Sequence, residues 1–181
     1  RDRAWVLSSW QVVVEEYPVL GTEIRIRTAP YAFKGFMGMR NFVMETADGK
    51  KLAWANTNWT YLTISTGIPT RLTPADTDGY VLSEKLEMDY APRKIKLPED
   101  MIPQEAFVVQ KHHLDTNHHV NNCQYICMAE DFLPEKFKVY QMRAEYKMQA
   151  KLGDMICPKA KVESGKVVVS LDDEKGKTYA I

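Results

Sequence analysis

A polar cluster between residues 113 and 122 contains the side chains best suited to chemistry. Asp115, Asn117 and His119 alternate, so extended backbone would direct all three side chains to one side. The apolar run after them predicts a helix over about 120–132. The unpaired N–H groups at a helix N-terminus favour negative charge. A carboxylate, an amide and an imidazole at such a terminus suit hydrolysis of an activated acyl group.

Composition restricts the class of protein. The 181 residues are 45% hydrophobic, which allows one large domain or two small ones. Basic and acidic residues balance at 24 each, so no global field favours nucleic acid or an anionic membrane. No apolar run is long enough to span a bilayer, and no secretory signal is visible. With only three cysteines and no paired framework, we expect a reducing, cytoplasmic location.

The first third of the chain predicts long antiparallel strands. Residues 22–28 alternate between polar and apolar side chains, which is typical of a half-buried strand. Asp48-Gly49-Lys50 predicts a hairpin turn, because glycine tolerates positive φ. The four strands predicted in this part are 5–16, 22–28, 41–46 and 52–64.

A proline-rich, charged stretch separates this part from the last third. It predicts a connector in which Thr73-Pro74, followed by Asp76, begins a short helix. Strands are predicted again over 106–109, 141–152, 155–163, 166–171 and 178–181. The predicted organisation is an N-terminal half (1–66), a connector (67–104) and a C-terminal half that carries the polar cluster (105–181).

A weak internal repeat relates the two halves. Leu20-Gly21 and Leu152-Gly153 each lie between two strands, 132 residues apart, and a hairpin follows each. In the second copy a strand and the 120–132 helix precede the long strands. The equivalent strand and helix of the first copy are therefore expected ahead of residue 1. The pattern predicts an α+β fold in which a unit of one antiparallel sheet and one helix occurs twice.

The polar cluster Asp115-Thr-Asn117-His-His119-Val120-Asn121-Asn122 resembles the Asp-x-Asn-x-His-Val-Asn-Asn active-site signature of acyl-acyl-carrier-protein thioesterases. The similarity extends over nearly the whole chain. It also includes Trp10 to Val14, Tyr17-Pro18, Gly21, Trp59, Thr70 to Leu72, Pro74, Ala144 to Tyr146, and Gly153-Asp154.

The resemblance implies a tandem (double) hot-dog fold, in which long antiparallel sheets each wrap a helix. It also implies an enzyme that hydrolyses fatty acyl-acyl carrier protein to free fatty acid, ending chain elongation in fatty-acid biosynthesis. The expected partner is an acyl carrier protein; its phosphopantetheine arm belongs to the substrate, and no other cofactor is implied. A double hot-dog either stays a monomer that mimics a dimer or pairs into a homodimer.

The chemistry of thioester hydrolysis suggests a role for each site residue. Asp115 would be general base or nucleophile, His119 would orient the nucleophile and assist thiol departure, and Asn117 would fix the substrate or the carboxylate. Backbone N–H groups of Val120, Asn121 and Asn122 would stabilise the oxyanion. The apolar acyl tunnel is expected to be lined by Met37, Met39, Met44 and Trp54.

One position departs from the family pattern. Plant-type members have Glu-Cys on the facing strand, where this chain has Gln149-Ala150. Ala150 has no thiol, which excludes a cysteine nucleophile there. Gln149 could hold a water molecule but could not take its proton. Strand alternation also groups Gln149 with polar neighbours, so a bulge or a covering element must bring it to the site.

Several alternatives remain open from the sequence. His119, Cys123 and Cys127 lie four residues apart, a spacing that could present three ligands to zinc, although we expect no metal. Asp115 and Asn117 could simply cap the helix. The competing functions are a hot-dog acyl-CoA thioesterase, a hydroxyacyl dehydratase, and a non-catalytic acyl-chain binding module.

Overall fold

Ten β-strands and two α-helices are found in the computed structural model, which describes residues 2–181. The chain divides into two units by its internal contacts. Unit 1 contains residues up to 93 together with 139–143, and unit 2 contains 94–138 and 144–181. The boundaries expected from the sequence, at 66 and 104, remain a prediction.

Unit 1 is built on four long antiparallel strands in the order β2-β3-β4-β1. Hairpins join β2 to β3 and β3 to β4, and the turn at Asp48-Gly49-Lys50 lies where it was predicted. Residues 141–143 of strand β7 (Gln141–Glu145) extend the sheet beside β1. The bounds are β1 Arg3–Val14, β2 Ile24–Lys34, β3 Met37–Thr46 and β4 Lys51–Thr63.

Strands β2 and β3 are longer than predicted. Strand β2 continues to Lys34 and β3 already begins at Met37. The turn between them, at Gly35-Phe36, was not predicted. Pro30 is the reason that this extension was not predicted, because a proline inside a stretch of strand-forming residues argues against a strand. It is tolerated here because it lies on β2, the outermost strand of the sheet, beside a register shift between Pro30 and Ala32.

Part of the predicted connector is held to the unit 1 sheet by hydrogen bonds. The N–H of Leu86 donates to Oδ1 of Asn41 (3.1 Å), and that of Ala91 donates to Oε1 of Gln11 (2.9 Å). The predicted short helix is present as α1, Pro74–Thr77. Within unit 1 this stretch is therefore a strap across the buried amides of the sheet.

Unit 2 repeats the strand order of unit 1 with shorter strands. Its sheet runs β8-β9-β10, with β5 and β6 pairing to β8. Reciprocal hydrogen bonds between Glu145 and Ile181 (2.9 and 3.0 Å) place the end of β7 beside β10. The order β8-β9-β10-β7 matches β2-β3-β4-β1. The bounds are β5 Ile102–Pro103, β6 Phe107–Val108, β7 Gln141–Glu145, β8 Met155–Glu163, β9 Lys166–Asp172 and β10 Thr178–Ala180.

Helix α2, Asn122–Glu130, packs against this second sheet. Tyr125 and Met128 are its buried residues, and they join one core cluster with Ile156, Leu171 and Tyr179. The helix is shorter than predicted and begins at Asn122. Its counterpart in unit 1 was expected ahead of residue 1, outside the residues that the structure describes. No helix in residues 2–181 combines the length and apolarity needed to cross a membrane.

The predicted strand 141–152 is interrupted. Strand β7 ends at Glu145, and the N–H groups of Lys147 and Met148 both donate to the Tyr179 carbonyl (2.8 and 3.2 Å). Two consecutive donors on one acceptor are typical of a β-bulge. Regular alternation fails at this point because one strand has gained a residue relative to its neighbour.

Candidate active site

Three short segments of unit 2 form a small antiparallel sheet around the polar cluster. Single bridges pair Leu114 with Val120 and His119 with Lys151. Hydrogen bonds support both pairings: Asp115 N–H donates to the His119 carbonyl (2.8 Å), and Val120 N–H donates to the Ala150 carbonyl (2.9 Å). We refer to residues 113–115, 119–121 and 149–151 as the site sheet.

The register of the site sheet decides which side chains share a face. Val120 and Ala150 are 4% and 0% exposed and belong to the core cluster. Side chains alternate along each segment, so His119 and its partner Lys151 lie on the opposite face. Asp115 is the antiparallel partner of His119 and lies on that face too. The two principal predicted residues are therefore brought together.

Asn117 completes this arrangement from the loop that joins the first two segments. Its N–H and its side-chain amide donate to the two carboxylate oxygens of Asp115 (2.8 and 3.3 Å). The N–H of His119 also donates to the Asp115 carboxylate (3.3 Å). His118 closes the loop with a φ of 60°, a left-handed conformation.

These contacts set the charge of the candidate carboxylate. Burial raises the pKa of Asp115, but the backbone hydrogen bonds from Asn117 and His119, together with the Asn117 amide and the His119 ring, outweigh it. The net pKa lies below the ordinary value for an aspartate. Asp115 is therefore ionised at neutral pH, as either a base or a nucleophile must be.

The three predicted oxyanion donors differ in availability. The N–H of Val120 donates to the Ala150 carbonyl and that of Asn121 to the His113 carbonyl (both 2.9 Å), so neither is free. The Asn121 side chain caps α2 by accepting from Cys123 N–H (2.8 Å). In residues 2–181, the N–H of Asn122, the first residue of α2, has no hydrogen-bond acceptor, which leaves it as the available donor of the three.

Gln149 lies on the site sheet, although not in contact with the carboxylate. The pairing of His119 with Lys151 places Gln149 opposite Asn121 and diagonal to His119, on the same face as both. Its side chain is exposed and forms no hydrogen bond with Asp115, Asn117 or His119. Gln149 is thus near the predicted site, and a direct role remains a prediction.

The zinc alternative finds no support in the geometry. Within residues 2–181, no group of three His, Cys, Asp or Glu side chains lies close enough to hold a metal ion. His119, Cys123 and Cys127 therefore do not form the ligand set that their spacing allowed. His113 Nδ1 instead accepts a hydrogen bond from the N–H of Gln110 (2.9 Å), a structural contact.

Unit 1 contains an apolar cavity of about 340 Å³ on one face of its sheet. Of the predicted tunnel residues, Met39 lines it between Gly38 and Arg40, whereas Met37, Met44 and Trp54 do not. Trp54 pairs with Val43, the residue next to Phe42. Neighbouring residues of a strand point to opposite faces, so Trp54 lies on the face of the sheet away from the cavity. The cavity is mainly aromatic, lined by Trp5, Phe33, Phe42, Trp59 and Tyr80 with Pro30.

A glycine gives this cavity its floor. Phe33, Gly38 and Trp59 are aligned across three neighbouring strands, and the rings of Trp5 and Phe33 meet at 5.8 Å. A Cβ atom on Gly38 would lie 2.9 Å from Cζ3 of Trp5. Only a residue without a side chain therefore lets the indole approach β3 this closely.

Sequence models of a known family match both parts of the chain. The model of the acyl-ACP thioesterase N-terminal domain matches residues 1–80, and that of the C-terminal domain matches residues 96–180. The chain belongs to the acyl-ACP thioesterase family. A search of curated protein sequences finds no match.

Solved structures agree with this family on the fold. An acyl-ACP thioesterase from Bacteroides thetaiotaomicron superposes with a TM-score of 0.89 at 21% identity, covering 99% of this chain and 74% of that chain. The 12:0-ACP thioesterase from Umbellularia californica gives a TM-score of 0.85 at 20% identity, with the same coverage. A MaoC-like dehydratase from Phytophthora capsici gives 0.63 at 12%, covering 97% and 69%. The predicted hot-dog fold is confirmed.

Membership of the thioesterase family makes the chain a thioester hydrolase. Sequence reasoning found the polar cluster but missed two kinds of residue in this family member. Four aromatic side chains of the cavity, Trp5, Phe33, Phe42 and Trp59, share one face of β1 to β4, a signal that alternation alone could have given. Tyr125, whose hydroxyl bonds the backbone N–H of Ala150, carries no local signal because its partner is distant in sequence.

Proposed function

We propose that this protein hydrolyses the thioester of fatty acyl-acyl carrier protein to free fatty acid and carrier protein, ending chain elongation in fatty-acid biosynthesis. The observation that carries the proposal is the shared face of the site sheet. There an ionised Asp115 lies opposite His119, and α2 begins three residues after His119 with the N–H of Asn122.

The chemistry follows from these groups. Asp115 takes a proton from an attacking water, or attacks the thioester carbon itself to form an anhydride that water then opens. His119 orients the nucleophile and delivers the proton that the departing thiolate requires. The N–H of Asn122 and the helix terminus stabilise the negative charge that develops on the carbonyl oxygen. One thioester and one water give one carboxylic acid and one thiol, without a cofactor of the enzyme.

The aromatic cavity of unit 1, taken by itself, is proposed as a binding site for an alkyl chain. A volume of about 340 Å³ is within the range of small-molecule sites, and its walls are aromatic rings that an alkyl chain can contact without losing hydrogen bonds. The acyl carrier protein supplies the phosphopantetheine arm. Exposed basic side chains next to the site, Lys147 and Lys151, provide positive charge for an acidic carrier.

The test is a panel of acyl-acyl carrier protein and acyl-CoA substrates of graded chain length. Hydrolysis of each substrate is measured by the release of free thiol. The proposal expects the carrier-protein thioesters to have the higher kcat/KM. A preference for acyl-CoA would instead support the acyl-CoA thioesterase, and binding of both without turnover would support an acyl-chain binding module.

A matched pair of variants tests the site within the same assay. Asp115→Asn keeps the shape of the side chain but removes its negative charge, and we expect kcat to fall by about 10²-fold or more. Asp131→Asn makes the same exchange at the exposed C-terminal end of α2 and should retain wild-type turnover. Equal rates in the two variants would contradict the proposed role of Asp115.

A further inference from the structure

The hydroxyl of Tyr125 reaches from α2 to the third segment of the site sheet. Its oxygen accepts a hydrogen bond of 2.8 Å from the N–H of Ala150. Both residues are buried, with Tyr125 4% and Ala150 0% exposed. Leaving a buried N–H without an acceptor costs about 1–3 kcal/mol.

Ala150 is joined to the site sheet through its other backbone group. Its carbonyl accepts from the N–H of Val120 at 2.9 Å, and Lys151, next along the chain, pairs with His119. The backbone of Ala150 is thus fixed through its N–H by Tyr125 and through its carbonyl by the segment that carries His119. Gln149 precedes Ala150 directly, so these bonds also fix its backbone position.

We infer that Tyr125 is a positioning residue, whose hydroxyl holds the 149–151 segment in register with the Asp115–His119 loop and thereby places Gln149 on the reacting face. This inference rests on the proposed function, since register matters to turnover only if this face carries out the hydrolysis. No local sequence signal points to Tyr125, which on α2 has the pattern of an ordinary core residue.

The structural reason for a catalytic effect is the interrupted strand. The bulge at Lys147 and Met148 takes the chain out of the regular β7 ladder just before Gln149. Beyond the bulge, the Ala150 N–H has no strand neighbour as its acceptor and depends on the tyrosine hydroxyl. A displacement of even about 1 Å at such a site can lower a rate by 10²-fold.

The first experiment compares Tyr125→Phe with Tyr179→Phe. Both substitutions remove one hydroxyl from the same buried cluster and keep the ring, so both variants retain their packing. The Tyr179 hydroxyl lies 3.5 Å from Oδ2 of Asp154, at the limit of a hydrogen bond. On acyl-acyl carrier protein we expect Tyr125→Phe to lower kcat about tenfold or more with little change in KM. Tyr179→Phe should stay close to wild type.

A double-mutant cycle separates positioning from a general loss of stability. If Tyr125 acts through the 149–151 segment, adding Tyr125→Phe to Gln149→Ala should cost less than the two single effects combined. A purely structural role would give independent effects. Additive losses, or an unchanged kcat in Tyr125→Phe, would overturn the inference.

Amide hydrogen exchange distinguishes this inference from the proposed function. Exchange at Ala150 should be faster in Tyr125→Phe and unchanged in Tyr179→Phe, whatever the substrate. Unchanged exchange at Ala150 in Tyr125→Phe would refute the link itself. A wild-type protein that hydrolyses no thioester would overturn the proposed function, and with it the catalytic consequence of the link, while the exchange result still decides whether Tyr125 holds the segment.

Discussion

The N–H of Asn117 donates a 2.8 Å hydrogen bond to the carboxylate of Asp115, two residues earlier in the chain. The Asn117 side-chain amide lies 3.3 Å from the second carboxylate oxygen. Asn117 is thus a donor to the charged form of Asp115 and lowers the pKa of that carboxyl, as hydrogen bonds to a carboxylate do.

We expect Asn117→Ala to move the acid limb of the activity profile to higher pH. A carboxyl with a lowered pKa stays ionised, and active, until the pH falls through that lowered value. Removing the amide raises the pKa of Asp115 towards its ordinary value, so activity is lost earlier on acidification. The backbone donors remain, so the shift is partial. The measurement is kcat/KM against pH, with Thr116→Ala as the neighbouring control; superimposable profiles would refute this role.

The second prediction concerns the cap of α2. Asn121 Oδ1 accepts from the N–H of Cys123, one of the otherwise unpaired donors of the first turn. Asn121→Ala should lower the free energy of unfolding by about 1 kcal/mol, whereas Asn121→Ser should preserve most of it. Thermal or urea unfolding of the two variants provides the comparison. An alanine variant as stable as the serine variant would show that the cap contributes nothing.

The third prediction concerns the floor of the unit 1 cavity. A methyl group on Gly38 would lie 2.9 Å from the Trp5 ring, so Gly38→Ala must displace the indole or the strand. Overpacking of this kind costs about 1–3 kcal/mol. We expect a lower melting temperature and an altered chain-length profile in the thioester panel. The smaller ring in Gly38→Ala/Trp5→Phe should recover part of the stability, and a double variant no better than Gly38→Ala would argue against a clash.

The fourth prediction concerns acid stability in unit 1. The side-chain and backbone hydrogen bonds from Thr73, followed by that from the Tyr61 hydroxyl, lower the pKa of Asp76 from 3.8 to about 2. Because the pKa is lower in the folded state, the stabilisation is fully present above the ordinary value and disappears as the pH falls through about 2.

Asp76→Asn should therefore lower stability at neutral pH and flatten the dependence of stability on pH in the acid range. Denaturant unfolding at a series of pH values measures both effects. Asp78→Asn, two residues further along, is the control. If the slopes for wild type and Asp76→Asn coincide, Asp76 does not contribute to acid unfolding.

Much of the fold could be predicted because its signals are local. Strand-forming residues bounded by turn residues predicted β1, β4, β8 and β9 within a few residues, since Val, Thr, Tyr and Trp favour strands and Gly, Asp and Pro separate them. The extension of β2 through Pro30 could not be predicted, because whether a proline is tolerated depends on which strand becomes the edge of the sheet. Edge position belongs to the topology, which no window of sequence contains.

The site divides in the same way. The sequence alone determined that a carboxylate, an amide and an imidazole precede a helix within five residues, because chain connectivity keeps Asp115, Asn117 and His119 together. Tertiary structure decided which of three neighbouring N–H groups is free, and that Gln149 lies diagonal to His119. Those outcomes depend on hydrogen bonds between residues eight positions apart, Asn121 and His113, and thirty apart, Val120 and Ala150. The register of these bonds is fixed only when the core between helix and sheet is packed.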